Sequence, residues 1–160
     1  MPHSDRVLHD ALITYLEPIT RWRHPAPGDG KPVQVNANGI DLWENHVGDA
    51  HIDPDGTAHA YLFIQTGPGS YIQSRAVTSA AYTAWRPVLT VAGGTPVKVR
   101  WALDKLRPHL DGAVLLDADG REITAPLHEG FARSEAYDPG PLQVDESPSP
   151  PRWYVPIQYA

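Results

Sequence analysis

The stretch AWRPVLTVAGGTPVKVRWALDKLRPHLDG, residues 84–112, decides the fold because it passes from a strand pattern directly into a helix pattern. Residues 82–92 place Trp85, Leu89 and Val91 on one side, with the two-residue period of a β-strand. Gly93-Gly94 then ends the strand. A strand that runs into a helix in this way predicts a domain of mixed α and β structure.

The helix that follows, over residues 95–110, carries signals at both ends. Thr95 is a suitable N-cap, Pro96 fits the first helical position, and Gly112 supplies a C-terminal stop. The apolar residues fall on one stripe at about 3.6 residues per turn. This predicted core stripe consists of Val99, Ala102, Leu103, Leu106 and Leu110.

The opposite side of this helix carries two further apolar residues. With Val99 at the centre of the stripe, about 100° per residue places Val97 and Trp101 nearly opposite. A large aromatic side chain in that position is covered either by another strand of the same domain or by a second subunit. Because aromatic residues are enriched at protein interfaces, we name Val97 and Trp101 as candidate subunit-interface residues.

A second amphipathic helix is predicted over residues 4–19. Its apolar positions share one stripe, and Ser4 is a plausible N-cap. We expect this stripe and that of the 95–110 helix to pack on a sheet. The stripe residues of the N-terminal helix are Leu8, Ala11, Leu12, Tyr15, Leu16 and Ile19.

Further strands are predicted at 58–65, 113–117 and 152–159. The 58–65 strand is apolar on both faces, which is typical of a central strand. The last strand contains Pro156, whose backbone nitrogen cannot donate a hydrogen bond, so we expect this strand at a sheet edge. At that edge, Trp153, Tyr154 and Pro156 are candidate interface residues. The predicted fold class is α/β (α+β), with a largely antiparallel four- to five-stranded sheet and two packed helices.

The whole chain, residues 1–160, is predicted to be a single domain with extended loops at 21–57 and 126–151. Val33-Gln34-Val35 and Ile40-Asp41-Leu42 flank Asn38-Gly39, a common two-residue turn, so we expect a β-hairpin there. Residues 126–151 are rich in proline, glycine and acids, and they are too long for an ordinary connection. We expect both features to contact other subunits or proteins.

Composition excludes several function classes. The formal charge of −6 gives no general attraction to nucleic-acid phosphate, and the absence of cysteine removes disulfides and thiolate chemistry. No run of about 18 apolar residues occurs, and the N-terminus lacks a signal-peptide pattern. We therefore expect a soluble intracellular product that does not bind membranes.

Imidazole and carboxylate groups cluster along one segment, at His46, His51, Asp53, Asp55 and His59. These are ligand types that zinc takes, but their spacing matches no helical metal motif, and Leu62 stands where a calcium loop would need glutamate. We expect no stoichiometric metal and no cofactor. A small metal-dependent hydrolase built on residues 46–59 remains the alternative from a different functional class.

Other catalytic signatures are weak. Ser70, Ser74 and Ser79 lie outside any G-x-S-x-G elbow and beside no assignable base, and Asp117 and Asp119 flank a turn. The glycine pairs lack the Gly-Lys-Ser/Thr of a phosphate loop. The sequence supports no named reaction, and we expect a protein that is not an enzyme.

Three stretches in a fixed order resemble one protein family. They are the strand 84–94, the helix from Thr95 that ends in Leu110-Asp111-Gly112, and the closing segment RWYVPIQY at 152–159. Together they resemble the tail terminator proteins of long-tailed, non-contractile bacteriophages, especially those that infect actinobacteria. The resemblance covers most of the chain and is weakest over 21–58 and 126–151.

This resemblance implies a structural virion protein. The family forms a ring, expected to be a hexamer, that caps the head-proximal end of the tail tube and stops its polymerisation. The implied partners are further copies of the chain, the major tail-tube protein and a head-completion or connector protein, while DNA only passes through the channel. The implied location is the tail neck of the virion, and the host cytoplasm during assembly. A head–tail connector or tail-completion protein is the alternative within the same class.

Overall fold

The computed structural model describes six stretches of the chain, namely residues 5–65, 70–73, 81–84, 87–127, 142–146 and 151–159. Ser4, predicted as a helix N-cap, lies outside the described residues, as do Ser74, Ser79 and Trp85. The same is true of most of the predicted loop at 126–151.

Two helices and a set of short strands make up the described fold. Helix α1 spans Asp5–Leu16 and is extended by a 3-10 turn, Glu17–Ile19, while helix α2 spans Pro96–Leu110. The strands are β1 (Thr20–His24), β2 (Val33–Gln34), β3 (Ile40–Glu44), β4 (Tyr61–Gln65), β5 (Ser70–Gln73), β6 (Ala81–Ala84), β7 (Val88–Gly93), β8 (Gln143–Asp145) and β9 (Arg152–Gln158).

The main sheet of the described chain has seven strands in the order β2-β1-β3-β4-β7-β9-β8, and β5 and β6 form a separate antiparallel pair. The α+β class is confirmed, but the sheet is larger than predicted and mixed in direction. Strand β3 runs parallel to both β1 and β4, whereas the other neighbours in the sheet are antiparallel. The additional strands come from the segment predicted as a loop, 21–57, and from residues 143–145.

The predicted helical stripes face the core. Thr95 caps α2 as expected, since its Oγ1 accepts a hydrogen bond from the backbone N–H of Lys98 at 3.2 Å. Tyr15, Ile19 and Leu103 pack at the margin of the core, and the other stripe residues are buried. The buried members from the two helices are Leu8, Ala11, Leu12, Leu16, Val99, Ala102, Leu106 and Leu110.

Strand β4 is central, as its two apolar faces predicted. Ala60, Leu62 and Ile64 belong to the core beneath the helices. Tyr61 and Phe63 belong to a second cluster around Trp43 and Ala92 on the other face of the sheet. The connection 45–60, which joins β3 to β4, contributes Ala50 to this second cluster. Both faces of the sheet are therefore covered in this region.

The hairpin predicted at Asn38-Gly39 is wrong. Strand β1 lies between β2 and β3, so the two segments that flank Asn38-Gly39 do not pair with each other. The glycine is needed for another reason. Gly39 has a φ of +138°, and a Cβ there would lie 2.5 Å from the carbonyl oxygen of Ile19. The Asn38-Gly39 pair therefore marks a place where the backbone of Gly39 passes close to the backbone of Ile19, at the start of β1.

The edge position predicted for the last strand is only partly right. Strand β9 pairs with β7 from Trp153 to Gln158, and its first three residues, Arg152–Tyr154, pair with β8. Pro156 lies opposite Thr90 of β7 and beyond the residues that pair with β8. In the described chain the outer strands are β2 and β8, because residues 143–145, which carry no strong strand signal, add to the outside of β9.

The strand predicted at 113–117 does not form. A single bridge joins Leu116 to Glu122 around the turn at Asp117, whose Oδ1 accepts hydrogen bonds from the backbone N–H groups of Asp119 and Arg121. The aspartate side chain therefore stabilises a tight turn, across which backbone hydrogen bonds join Asp117 to Arg121 and Ile123 to Leu115 without forming a regular strand pair. Within the described ranges, neither helix combines the length and apolar character needed to cross a bilayer.

Candidate functional site

A polar cluster lies on the second face of the sheet, where β1 and β3 run side by side. Asp41 of β3 is almost fully buried, and both of its carboxylate oxygens accept hydrogen bonds from Arg21 of β1, each at 2.8 Å. A two-pronged ion pair of this kind fixes the plane of the carboxylate. The β1–β3 register shifts between Thr20 and Arg23, in the part of β1 that carries Arg21.

His24, at the end of β1, is a buried polar residue of this cluster whose Nε2 has no hydrogen-bond partner among the described residues, and the same is true of Nε1 of the neighbouring Trp43. The His24 side chain stacks flat on Trp43 of β3, with ring centroids 3.8 Å apart and planes 6° from parallel. The residue is only 6% exposed, and among the described residues no group bonds to its Nε2. Burial lowers the pKa of His24 below its ordinary value, so the imidazole is neutral at pH 7. A neutral imidazole carries one nitrogen lone pair that can accept a ligand.

His51 reaches the same place from the connection 45–60. It stacks near Trp22 at 5.7 Å between ring centroids, and its Nε2 lies 3.9 Å from Oδ2 of Asp41. One ligand atom from each of His24, Asp41 and His51 lies within 4.8 Å of the other two. Two imidazole nitrogens and a carboxylate oxygen form a donor set suited to zinc and similar ions.

The five residues predicted as a possible metal site contact different groups in the structure. Asp53 and Asp55 bind the ammonium of Lys98 at 2.8 and 3.1 Å, and His59 bonds to Asp53 and to the carbonyl of Gly39. His46 instead contacts the carbonyl of Glu44. Of the five predicted residues, only His51 contributes a ligand atom to the group with His24 and Asp41. The structure therefore brings Asp53, Asp55 and His59 together around Lys98 and places the side chains of His46 and His51 apart from them.

The ionisation of Asp55 should make the stability of the fold depend on pH. Hydrogen bonds from the side chain and backbone of Thr57, and then from Lys98, lower the pKa of Asp55 from 3.8 to about 2. Between about pH 3.8 and about pH 2, the Asp55 carboxylate is protonated in the unfolded chain but stays ionised in the folded chain. The stability contributed by this carboxylate is therefore fully present above about pH 4 and is lost as the pH falls from about 3.8 to about 2.

We expect Thr57→Val to raise the pKa of Asp55 towards its ordinary value, because valine removes the hydroxyl donor and keeps the backbone N–H. NMR titration of the carboxyl carbon measures this directly. Thr14→Val, on the exposed side of α1, is the matched control and should leave the value near 2. An unchanged pKa in Thr57→Val would show that the hydroxyl bond does not set it.

A third polar network joins α1 to the sheet. Glu44 of β3 is buried, and its carboxylate accepts hydrogen bonds from His9 of α1 at 2.7 Å and from Arg23 of β1 at 2.7 and 3.3 Å. Burial opposes ionisation, but these partners outweigh it and hold the pKa of Glu44 below its ordinary value. This network is structural, since it holds a helix on the sheet.

The predicted interface residues on α2 are accessible. Val97 is 69% exposed and Trp101 is 39% exposed, on the side of the helix opposite its buried stripe. Trp101 also has neighbours in its own chain, because the ring of His59 meets it edge-on at 5.9 Å and Nζ of Lys105 lies 4.8 Å from its centroid. These contacts cover part of the indole and leave an apolar surface beside Val97.

The predicted interface residues on β9 are less accessible. Trp153 packs against the core beneath the helices, and Tyr154 packs on the second cluster, with its hydroxyl donating to Oε1 of Gln143 at 2.8 Å. Pro156 is partly buried. Strand β8 covers the first half of β9, so the exposed apolar groups at this end of the sheet include Val144 of β8.

Arg21, His24 and Asp41 are not predicted as site residues, because they lie on two strands whose sequences predict a loop and a hairpin. A signal was present, since β1 reads Thr-Arg-Trp-Arg-His and so alternates bulky and charged groups.

The chain matches no protein-family model, and comparison with curated proteins gives no match.

Proposed function

We propose that this chain is a structural subunit of a phage tail neck, a tail terminator that forms a ring at the head-proximal end of the tail tube. The proposal rests on the sequence resemblance and on one observation in particular. Helix α2 packs its buried stripe on the sheet and at the same time presents Val97 and Trp101 on its other side. A helix of this kind can contact its own sheet and a neighbouring subunit together.

A ring requires two different contact surfaces on each copy, because a heterologous interface closes only when one surface meets another. The outer strands β2 and β8 lie at opposite ends of the sheet. Each carries an exposed valine, Val33 in β2 and Val144 in β8. Outer strands provide backbone groups to which a neighbouring chain can add. The outward side of α2 and the two sheet ends are the surfaces that we assign to subunit contacts.

Trp101→Ala should weaken ring assembly more than it weakens the fold. Truncation of a buried interface aromatic costs about 2 kcal/mol or more of binding, which corresponds to about 30-fold weaker association. The fold should lose less, because the indole is already partly exposed in the single chain. Light scattering over a range of concentrations measures assembly, negative-stain electron microscopy shows the rings, and thermal unfolding reports the fold.

Val7→Ala is the matched control, because Val7 lies on α1 and is 37% exposed, close to the value for Trp101. It should leave ring mass unchanged. If Trp101→Ala keeps the ring intact and lowers the melting temperature, Trp101 is an intramolecular packing residue and α2 is not the interface.

Tail assembly in the absence of this protein should distinguish a tail terminator from a head–tail connector. A terminator limits tube growth, so its absence should give tail tubes longer than normal. A connector acts after the tube is complete, so its absence should leave tubes of normal length that are not joined to heads. Tube lengths measured by electron microscopy, with and without the protein during assembly, distinguish the two functions.

A further inference from the structure

We propose that His24, Asp41 and His51 bind one zinc ion, or a similar divalent transition-metal ion, on the second face of the sheet. The proposal does not depend on ring formation. It starts from the buried Nε2 of His24, which bonds to no group in the described part of the chain. A buried polar atom without a partner is costly, and a bound metal or water is among the explanations for such an atom in a folded protein.

The donor set selects the type of metal. Two imidazole nitrogens with one carboxylate oxygen suit zinc, whereas calcium and magnesium prefer oxygen ligands throughout. Three protein ligands leave a fourth tetrahedral position for water.

The three ligand atoms lie near one another, but farther apart than a bound zinc ion would hold them. A tetrahedral zinc ion with bonds of about 2.1 Å holds its ligand atoms about 3.4 Å apart. The three ligand atoms here lie within 4.8 Å of one another, and Nε2 of His51 is 3.9 Å from Oδ2 of Asp41. His24 and Asp41 lie on adjacent paired strands, so the remaining adjustment falls to His51, which is half-exposed on a connection.

The surroundings orient the proposed ligands. Arg21 holds both oxygens of Asp41, and each oxygen keeps a second lone pair that a metal can use. Trp43 fixes the ring plane of His24 by stacking. Groups that orient ligands in this way commonly contribute to metal affinity. The positive charge of Arg21 opposes the cation, which makes the affinity lower than that of a site with an unpaired carboxylate.

Binding would add a further link between the connection 45–60 and the sheet, which already meet through Ala50 in the second cluster and through the hydrogen bond between His59 and the carbonyl of Gly39. The backbone N–H of His59 donates to the carbonyl of His51 at 2.8 Å, and this hydrogen bond joins the two ends of one turn within the connection. A zinc ion would join that turn to β1 and β3. Zinc should therefore raise the melting temperature, because a ligand that binds only the folded state stabilises it.

The test uses the full chain without an affinity tag, stripped with a chelator and then titrated with Zn²⁺ by calorimetry. We expect about one zinc per chain, confirmed by elemental analysis after gel filtration. His51→Ala should weaken binding by about 10-fold or more. His46→Ala is the matched control, because His46 lies on the same connection, touches Trp43 edge-on and is not one of the three ligands. It should bind zinc as the parent chain does.

Two results would overturn the proposal, namely no saturable zinc binding by the folded chain, or equal affinities in the parent chain and in His51→Ala. The spacing within residues 46–59 predicts a protein without metal, and the same titration decides between that prediction and this proposal. Because light scattering on the same samples reports ring mass separately, failure of the zinc site would leave the proposed ring function untouched.

Discussion

Leu62→Ala should lower the free energy of unfolding by about 2–5 kcal/mol, the range for a leucine truncated in a well-packed core. Leu62 lies on the central strand β4 and is 1% exposed. Its register partners on either side are Leu42 of β3 and Val91 of β7, which are also buried. Because neighbours on both sides are fixed by the sheet, the cavity cannot collapse easily. Urea unfolding followed by fluorescence of the tryptophans measures the loss.

Leu116→Ala is the matched control for this prediction. Leu116 is 48% exposed, so the same truncation should cost no more than about 0.5 kcal/mol. A loss of similar size in the two variants would mean that β4 is not at the centre of the core.

Glu44→Ala should lower the free energy of unfolding by about 3 kcal/mol, at the lower end of the range for breaking a buried ion pair. The carboxylate is buried, and its loss removes the hydrogen bonds to His9 of α1 and to Arg23 of β1. The effect lies at the lower end because 37% of the Arg23 side chain is exposed, so water can replace the lost acceptor. Chemical denaturation at pH 7 measures the change.

Asp10→Ala provides the comparison for Glu44. Asp10 pairs with Arg6 across an exposed turn of α1, at 4.0 Å, and such pairs contribute little. The expected change is within about 0.5 kcal/mol. If the two variants were equally stable, the Glu44 network would not be what holds α1 to the sheet, and apolar contacts such as those of Leu12 would carry that role alone.

The pH dependence of the Glu44 network follows from the direction of its pKa shift. The pKa of Glu44 in the folded chain lies below the ordinary value of 4.5. Its contribution to stability is therefore complete above about pH 4.5 and is lost as the pH falls below that value. Glu44→Ala should show a shallower loss of stability in acid than the parent chain.

The local features of the fold were predictable because their signals are contiguous in sequence. The stripes of α1 and α2, the Thr95 cap and the two apolar faces of β4 each depend on residues within one segment. Such patterns are set by the period of the element and by short-range hydrogen bonds.

Strand order was not predictable in the same way. The Asn38-Gly39 signal favours a hairpin, yet β1 pairs with both of the segments that flank it. The tertiary arrangement places Ile40 and Leu42 in the core beside α1, and burial of these side chains outweighs a local turn preference. The inner position of the first half of β9 has a similar cause, since residues 143–145 add to it from elsewhere in the chain.

The sequence by itself determined the mixed α and β class, the two helices with their core-facing stripes, and the outward position of Val97 and Trp101 on α2. Only the tertiary structure decided which strands are neighbours, and with that the meeting of His24, Asp41 and His51. The physical reason is the range of the interactions. Helical periodicity and caps act over a few residues, whereas a polar cluster across β1, β3 and a connection depends on pairings between separate segments.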